Sequence, residues 1–297
     1  AGLSGMDATT TAELLRVEGL HKSFFGVRVL HDVGFTLRAG QVLGLVGENG
    51  SGKSTTMNII GGVLAPDTGT MLLDRREYRP RNPREAEAHG IAFIHQELNL
   101  FRNLSVAENL FIAAFPRRLR ALPLIDRGAV GRRAAELLRA VDLDVPPATP
   151  LSRLSQGERQ LVEIAKALGA KARVIIFDEP TTSLTTRETE RLFEIIARLR
   201  AQGIAIIYIS HILGDVLRLC DDIVVLRDGR VVGQAPRAEM TAERMISLMV
   251  GRTLDQIFPP RAPAVRTTPV LEVRGLNQRG MVRDIGFTLH AGEVLGI

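Results

Sequence analysis

Gly47-Glu48-Asn49-Gly50-Ser51-Gly52-Lys53-Ser54-Thr55 comes directly after the apolar run Val42 to Val46, and this junction decides how the rest of the chain is read. The run is short, uninterrupted and β-rich, as expected of a strand buried on both faces. The nine residues after it fit a glycine-rich turn into a helix, which is a phosphate-binding arrangement. Gly47, Gly50 and Gly52 let the backbone turn tightly, so that successive N–H groups converge on oxygen atoms where the helix N-terminus adds a favourable dipole. Lys53 is then set to reach the β- and γ-phosphates of a nucleoside triphosphate, Ser54 to offer a hydroxyl to Mg²⁺, and Thr55 to meet the α-phosphate. A glycine-rich loop with no ligand is the plain alternative. Against it, only four of the 38 basic residues are lysine (Lys22, Lys53, Lys166 and Lys171), and one stands where a compact charge suits phosphate better than a planar guanidinium.

Composition sets the outer limits. A chain of 297 residues, 45% hydrophobic, can bury one large core and part of another. The single cysteine, Cys220, permits no internal disulfide and fits a reducing compartment. No apolar stretch approaches the ~18 residues that cross a bilayer, and the first eleven residues lack a basic region followed by an apolar one. The net charge of +5 could point to nucleic acid, but the arginines are dispersed, aromatic residues make up only 4%, and Trp is absent. No nucleic-acid partner is expected.

Along the chain, β-like runs at Val42 to Val46, Ile91 to Ile94, Val174 to Phe177, Ile204 to Ile209 and Ile223 to Leu226 alternate with helical stretches. That pattern predicts an α/β domain with a largely parallel sheet. The interval from Leu98 to Ala172 has helical periodicity and no convincing strand, and predicts a helical subdomain inserted into the sheet. Within it Val130, Ala134, Leu137, Leu138 and Val141 recur at helical spacing, with Arg132, Arg133, Glu136 and Arg139 elsewhere around the wheel. Pro259, Pro260, Pro263 and Pro269 crowd a stretch without apolar periodicity, read as a linker over 255–269. Beyond it, Asp284 to Gly296 repeats Asp32 to Gly44 at a constant offset of 252 residues, and Leu271 to Leu276 echoes Leu15 to Leu20. The expected organisation is a flexible segment at 1–12, a first cassette at 13–254 with its helical part at about 98–172, the linker, and at 270–297 the start of a second cassette that breaks off before its phosphate loop.

The motifs come in a telling order: the phosphate loop, Gln96, Leu154-Ser155-Gln156-Gly157-Glu158, Asp178-Glu179-Pro180 and His211. In this order the chain resembles an ATP-binding cassette (ABC) transporter ATPase. It looks most like the duplicated ATPase subunits of bacterial sugar importers of the ribose, xylose and galactose type. The local text carrying this includes Ile94-His95-Gln96-Glu97-Leu98-Asn99-Leu100, Val162-Glu163-Ile164-Ala165-Lys166, Tyr208-Ile209-Ser210-His211 and Met249-Val250-Gly251-Arg252. The resemblance implies a phosphate-loop NTPase fold with a mainly parallel central sheet, an antiparallel β subdomain and an inserted helical subdomain. It also implies ATP and Mg²⁺ as ligands and a place on the cytoplasmic face of the membrane. The implied partners are integral-membrane permease subunits, a second cassette and, indirectly, an extracellular sugar-binding protein. The groove beside Gln96 to Ile112 is then expected to receive a permease loop.

Each matched residue also makes chemical sense. Asp178 and Glu179 end an apolar strand, where Asp178 can hold Mg²⁺ through water and Glu179 can orient or deprotonate the attacking water. An isolated Asp-Glu pair would more often be a cap or a surface turn. Gln96 follows a strand and opens the helical insertion, so it can report γ-phosphate or Mg²⁺ occupancy; His211 also ends a strand, where its imidazole can meet the γ-phosphate. Phe24 resembles the aromatic that stacks on adenine, with Phe25 adjacent and ordinary core packing the alternative for either. Ser155 reads as an N-cap completed by Glu158 in a capping box. In the family this helix start meets the γ-phosphate held by the opposite cassette, through residues matched here by Ser155, Gln156, Gly157 and Glu158. Gln156 stands where the commoner motif has Gly, Glu158 where it has Gln, and Thr185 where many relatives have Asp. The resemblance thus implies ATPase activity coupled to uptake of a simple sugar. Nucleoside import, and a soluble duplicated protein acting on ribosomes or nucleic acid, stay open as alternatives. The stub after Pro269 is expected to be poorly ordered or paired with another chain, since it has strand-like runs and no complete domain to bury them.

Overall fold

The computed structural model describes residues 12–119, 122–251, 268–278, 282–293 and 295–296. The expected flexible segment, apart from Ala12, and the linker up to residue 267 lie outside the described residues. The chain divides into two compact units, residues 1–252 and 253–297.

In chain order the first unit contains β1 (Glu13–Phe24), β2 (Val27–Arg38), β3 (Val42–Val46), α1 (Lys53–Ile60), β4 (Thr68–Leu73), β5 (Arg76–Glu77), α2 (Pro83–Ala88), β6 (Ile91–Ile94) and α3 (Val106–Phe111). Next come β7 (Arg117–Leu119), β8 (Leu122–Ile125), α4 (Arg127–Ala140), α5 (Gln156–Gly169), β9 (Val174–Asp178), α6 (Thr186–Ala201) and β10 (Ala205–Ile209). The unit closes with α7 (Leu213–Leu219), β11 (Asp222–Arg227), β12 (Arg230–Pro236) and α8 (Ala242–Val250). Six strands form the central sheet in the order β12-β11-β3-β10-β9-β6, parallel throughout except for the β11–β12 pair. A second, antiparallel sheet has the order β2-β1-β4-β5.

All five apolar runs read from the sequence are strands of the central sheet, and the period-2 alternation of side chains explains why they are apolar throughout. One face, with Val42, Ile175, Phe177, Ile206, Tyr208 and Val225, joins the core that covers the inserted helices. The other face, with Leu43, Ile176, Ile207, Val224 and Leu226, packs with Leu15, Val17, Leu30 and Phe35 of the antiparallel sheet. The inserted segment is helical where the periodicity predicts it: α4 buries Val130, Ala134 and Leu138 and exposes Arg132, Arg133, Glu136 and Arg139. It also contains a correction, since β7 and β8 pair into a small antiparallel sheet in an interval expected to hold no strand. A pairing between near neighbours in sequence needs no long apolar run and leaves no periodic signal.

The second unit contains β13 (Pro269–Gln278) and β14 (Val282–His290), paired antiparallel. The strand-like runs expected here are strands, and they pair with each other. Their register repeats that of β1 and β2. Leu15↔Leu37, Val17↔Phe35 and Leu20↔Val33 in the first unit correspond to Leu271↔Leu289, Val273↔Phe287 and Leu276↔Ile285 in the second. Leu15, Leu20 and Val33 are buried, whereas Leu271, Leu276 and Ile285 are exposed.

Phe177 is fully buried in β9, between its two parallel neighbours. Phe177→Ala should therefore destabilise the first unit by about 3–5 kcal/mol, measured by denaturant unfolding; a loss under ~1 kcal/mol would contradict this packing.

Candidate functional site

Neighbouring parallel strands β3, β10, β9 and β6 all point their C-terminal ends the same way. The segments leaving those ends are Gly47 to Gly52, Ser210-His211, Asp178-Glu179 and His95-Gln96. Four stretches separated by up to 164 residues thus share one sheet edge, where open α/β sheets bind ligands.

The loop after β3 wraps its own lysine. Lys53 is buried, and its Nζ donates to the carbonyls of Gly47 at 2.7 Å and Glu48 at 3.0 Å. Two glycines make this possible. A Cβ on Gly47 would lie 2.3 Å from the Leu226 carbonyl oxygen, and one on Gly52, whose φ is +103°, would lie 2.6 Å from Leu30 Cδ2. Ser51 Oγ is buried without a hydrogen-bond partner, a donor pointed into a loop already rich in N–H groups. Ser54, in the first turn of α1, is exposed, and Thr55 is half-buried. Burial pushes the Lys53 ammonium below its ordinary pKa, and the carboxylates of Glu179 and Asp178 push back. The loop therefore offers positive charge and unsatisfied donors, and fits a polyphosphate.

Asp178 ends β9, and Glu179 follows with a left-handed backbone (φ 49°), its N–H donating to Ile209 O at 2.9 Å. This strained turn aims the two adjacent carboxylates differently. Glu179 Oε2 lies 3.2 Å from His211 Nδ1, so the expected general base and the expected phosphate-sensing histidine are within hydrogen-bond distance. Burial raises the Asp178 pKa and the Glu179 charge raises it further, while His95 and Lys53 oppose this. Among the described residues no group of three or more His, Cys, Asp or Glu is arranged to hold a metal. Ser54 and Asp178 can supply only part of a cation's coordination, which is how Mg²⁺ is commonly held when substrate phosphates supply the rest.

Gln96 lines an open cavity of about 770 Å³ with Leu98, Arg102, Gln156, Arg159 and Ser183. A narrower crevice brings Gln96, Glu179 and Gln156 to common walls. At the β1–β2 turn, Phe24 lies under the Lys22 ammonium at 5.5 Å, and Phe25 is fully exposed with φ 50°. Neither ring belongs to a core cluster.

The Ser155 capping box forms: Ser155 Oγ accepts from Glu158 N at 3.2 Å, and Glu158 Oε2 accepts from Ser155 N at 2.7 Å. A further partner has no local signal in the sequence. Ser155 Oγ donates to Glu188 Oε1 at 3.1 Å, and the Gly157 N–H also meets this carboxylate. Glu188 caps its own helix through Thr185 as well, and these hydrogen bonds, Thr185 N–H first, hold its pKa below the ordinary range. In sequence Glu188 looks like a local cap, and nothing nearby tells that it reaches a residue 33 positions away. His95 carries no role in the sequence reading either, although its position one residue before Gln96 is a usable signal. It stacks on Phe93 at 4.0 Å and interacts with Asp178.

A mainly parallel sheet with a glycine-rich loop and an acidic pair at the same C-terminal edge, two strands apart, defines an α/β nucleotide-binding cassette. Residues 30–182 match the sequence profile described as ABC transporter, and the chain belongs to that family. It is 45% identical to a Burkholderia cenocepacia import ATP-binding protein named for ribose, galactose and methyl galactoside, over 98% of this chain and 57% of that protein. It is 44% identical to the arabinose import ATP-binding protein AraG of Pseudomonas syringae pv. tomato, again over 98% of this chain and 57% of the relative. The chain thus spans little more than half the length of these relatives. Among solved structures, an ATP-binding cassette of an ABC transporter in its ADP conformation matches with a TM-score of 0.72 at 27% identity, over 82% of this chain and 100% of that one. CbiO1 from Clostridium perfringens, part of the ABC transporter complex cbiONQ, matches with a TM-score of 0.68 at 27% identity, over 82% and 97%.

The raised Asp178 pKa has a thermodynamic consequence. The folded state holds this proton to higher pH than the unfolded state does, so ionised Asp178 costs stability at neutral pH and nothing once both states are protonated. Asp178→Asn should raise the thermal midpoint of the nucleotide-free protein at neutral pH, by a margin that narrows towards pH ~4. A lower midpoint at neutral pH, in thermal scans across this range, would contradict the assignment.

Proposed function

We propose that this chain is the ATP-hydrolysing cassette of a bacterial importer, coupling Mg²⁺-ATP hydrolysis to uptake of a monosaccharide. The observation that carries the ATPase part is the gathering of Lys53, Asp178, Glu179 and His211 at one sheet edge, with Glu179 and His211 only 3.2 Å apart. The sugar part is supported by relatives named for ribose, galactose and arabinose import.

In this reading the backbone of Gly47, Glu48, Asn49, Gly50, Ser51 and Gly52 cradles the phosphates, with Ser51 Oγ as an added donor. Lys53 exchanges its carbonyl partners for β- and γ-phosphate oxygens, and Thr55 meets the α-phosphate. The adenine stacks at the Phe24–Phe25 turn. Ser54, Gln96 and Asp178 would hold Mg²⁺, which would neutralise phosphate charge. Glu179 orients a water for in-line attack on the γ-phosphorus and takes its proton; the new P–O bond forms as the bond to the β-phosphate oxygen breaks, leaving ADP and phosphate. His211 steadies Glu179 and hydrogen-bonds the γ-phosphoryl group. Ser155, Gln156, Gly157 and Glu158 serve the ATP of an opposite cassette, so each hydrolytic site is shared between two cassettes.

Residues 13–254 then make the first cassette, with its helical part at about 98–172, and residues 270–297 begin a second, supported by the repeated register of β13 and β14. Among the described residues no helix is long and apolar enough to cross a membrane. The cassette works in this reading as a peripheral subunit on the cytoplasmic face, docked on permease subunits beside Gln96 to Ile112 and served from outside by a sugar-binding protein, as its import ATP-binding relatives support.

Glu179→Gln separates binding from chemistry. ATP affinity should stay within about threefold of the parent, while steady-state hydrolysis falls about 100-fold or more. Unchanged hydrolysis would overturn the assignment of Glu179.

A further inference from the structure

The Glu179–His211 pair has little packing of its own to hold it together. The His211 side chain is 53% exposed and that of Glu179 18%. The Glu179 backbone is unfavourable as well. Its φ of 49° lies in the left-handed region, and Pro180 follows it, which restricts the backbone further. Such a conformation persists only where its surroundings hold it. Within the turn, Thr182 donates to the Glu179 carbonyl from its N–H at 3.4 Å and from its hydroxyl at 3.2 Å. Those bonds are local to the turn, so whatever fixes it relative to His211 has to come from the neighbouring strand end.

Asp215 supplies that link. It lies in the first turn of α7, where a carboxylate ordinarily serves its own helix through the free N–H groups and the dipole. Here the side chain goes elsewhere: Oδ2 accepts the Thr181 hydroxyl at 2.7 Å, across 34 residues of sequence. The same oxygen accepts from the Tyr208 hydroxyl at 3.4 Å. Thr181 and Tyr208 are buried and Asp215 is half-buried. Burial raises the Tyr208 pKa, a hydrogen bond with Thr181 opposes this and the Asp215 charge adds to it, so the phenol stays protonated and can donate.

Thr181 comes two residues after Glu179, and Asp215 four after His211. At the strand ends the two segments are already joined, by Glu179 N–H to Ile209 O at 2.9 Å. The Thr181–Asp215 bond ties them a second time, beyond the catalytic pair, and the 3.2 Å Glu179–His211 contact lies between the two ties. A hydrogen bond to a carboxylate from a buried hydroxyl is short and directional, which suits it to fixing a register.

We propose that Asp215 is a positioning residue for ATP hydrolysis: through Thr181 it holds the turn after β9 against the start of α7, and so keeps Glu179 in register with His211. This rests on the reading of Glu179 as the group that activates water. Asp215 and Thr181 themselves meet neither the nucleotide nor the attacking water.

The test compares the parent with Asp215→Ala, Thr181→Val and Thr181→Ser, each at protein concentrations where its rate per chain has levelled off. Asp215→Ala and Thr181→Val should each lower kcat about 30-fold, with KM and ATP affinity within about threefold of the parent. Thr181→Ser keeps the hydroxyl and should hold kcat within about threefold of the parent. Combining Asp215→Ala with Thr181→Val should cost no more than either alone, because both remove the same bond. In crystals of nucleotide-free Thr181→Val, Glu179 and His211 should lie beyond ~3.5 Å. A parent-like kcat in Thr181→Val, with only the thermal midpoint lowered, would show a stabilising bond without a positioning role and overturn the proposal. Equal losses of ATP affinity and kcat would overturn it too, since the whole site would then have been disturbed. A parent that binds ATP but hydrolyses none at any concentration would remove the reading of Glu179, whereas an active parent with an unaffected Thr181→Val leaves that reading standing and removes this one.

Discussion

A buried ammonium is the constraint around which the first unit is arranged. Lys53 is out of water and is held by two carbonyls of its own loop, at 2.7 and 3.0 Å. Carbonyls can turn inward on a lysine only if the intervening residues curl tightly, and the contacts a Cβ would make at Gly47 and Gly52 show how little room that curl leaves. Burial lowers the lysine's pKa; Glu179 and Asp178 oppose this from the end of β9, two strands along the sheet. The strand order is therefore part of the electrostatics, since it sets acidic strand ends close to the loop without letting them close on Lys53 as a tight ion pair. The arrangement is poised for an anion, which replaces weak carbonyl partners by phosphate oxygens.

The range of each interaction governs how much of the fold and site is legible in the sequence. The central strands can be read because both faces are buried, leaving unbroken apolar runs such as Val174 to Phe177. The capping box at Ser155 can be read because it closes within four residues. The phosphate loop and the acidic pair are visible as motifs, and the fold adds that they share an edge with His211 and Gln96. The β7–β8 pair escapes because its two short strands carry no run or alternation of their own. Glu188 and Asp215 escape for a different reason. Each looks like an ordinary acid in the first turn of a helix, and only tertiary packing puts one on Ser155 and the other on Thr181. The repeat at an offset of 252 tells of a second structural copy, and the matching registers of the two hairpins give it physical form.

The same geometry bears on the proposal that one cassette is half of a working site. The phosphate loop and Glu179 belong to one sheet edge, whereas the N-terminus of α5 is capped by Ser155 and meets Glu188 of its own chain. A second nucleotide phosphate brought to that helix start would compete with the Glu188 carboxylate for Ser155 Oγ and the Gly157 N–H. On the proposed function, pairing of cassettes would therefore have to displace the Glu188 carboxylate from the start of α5.

On the proposed function, this polypeptide binds ATP alone but hydrolyses it efficiently only when a second cassette completes the site. The most direct measurement is the steady-state ATPase rate per chain as a function of protein concentration, with ATP binding followed in parallel. Binding should not depend on protein concentration, and the rate per chain should rise with concentration until cassettes are paired. A rate per chain that is high at the lowest concentration and flat thereafter would contradict the claim.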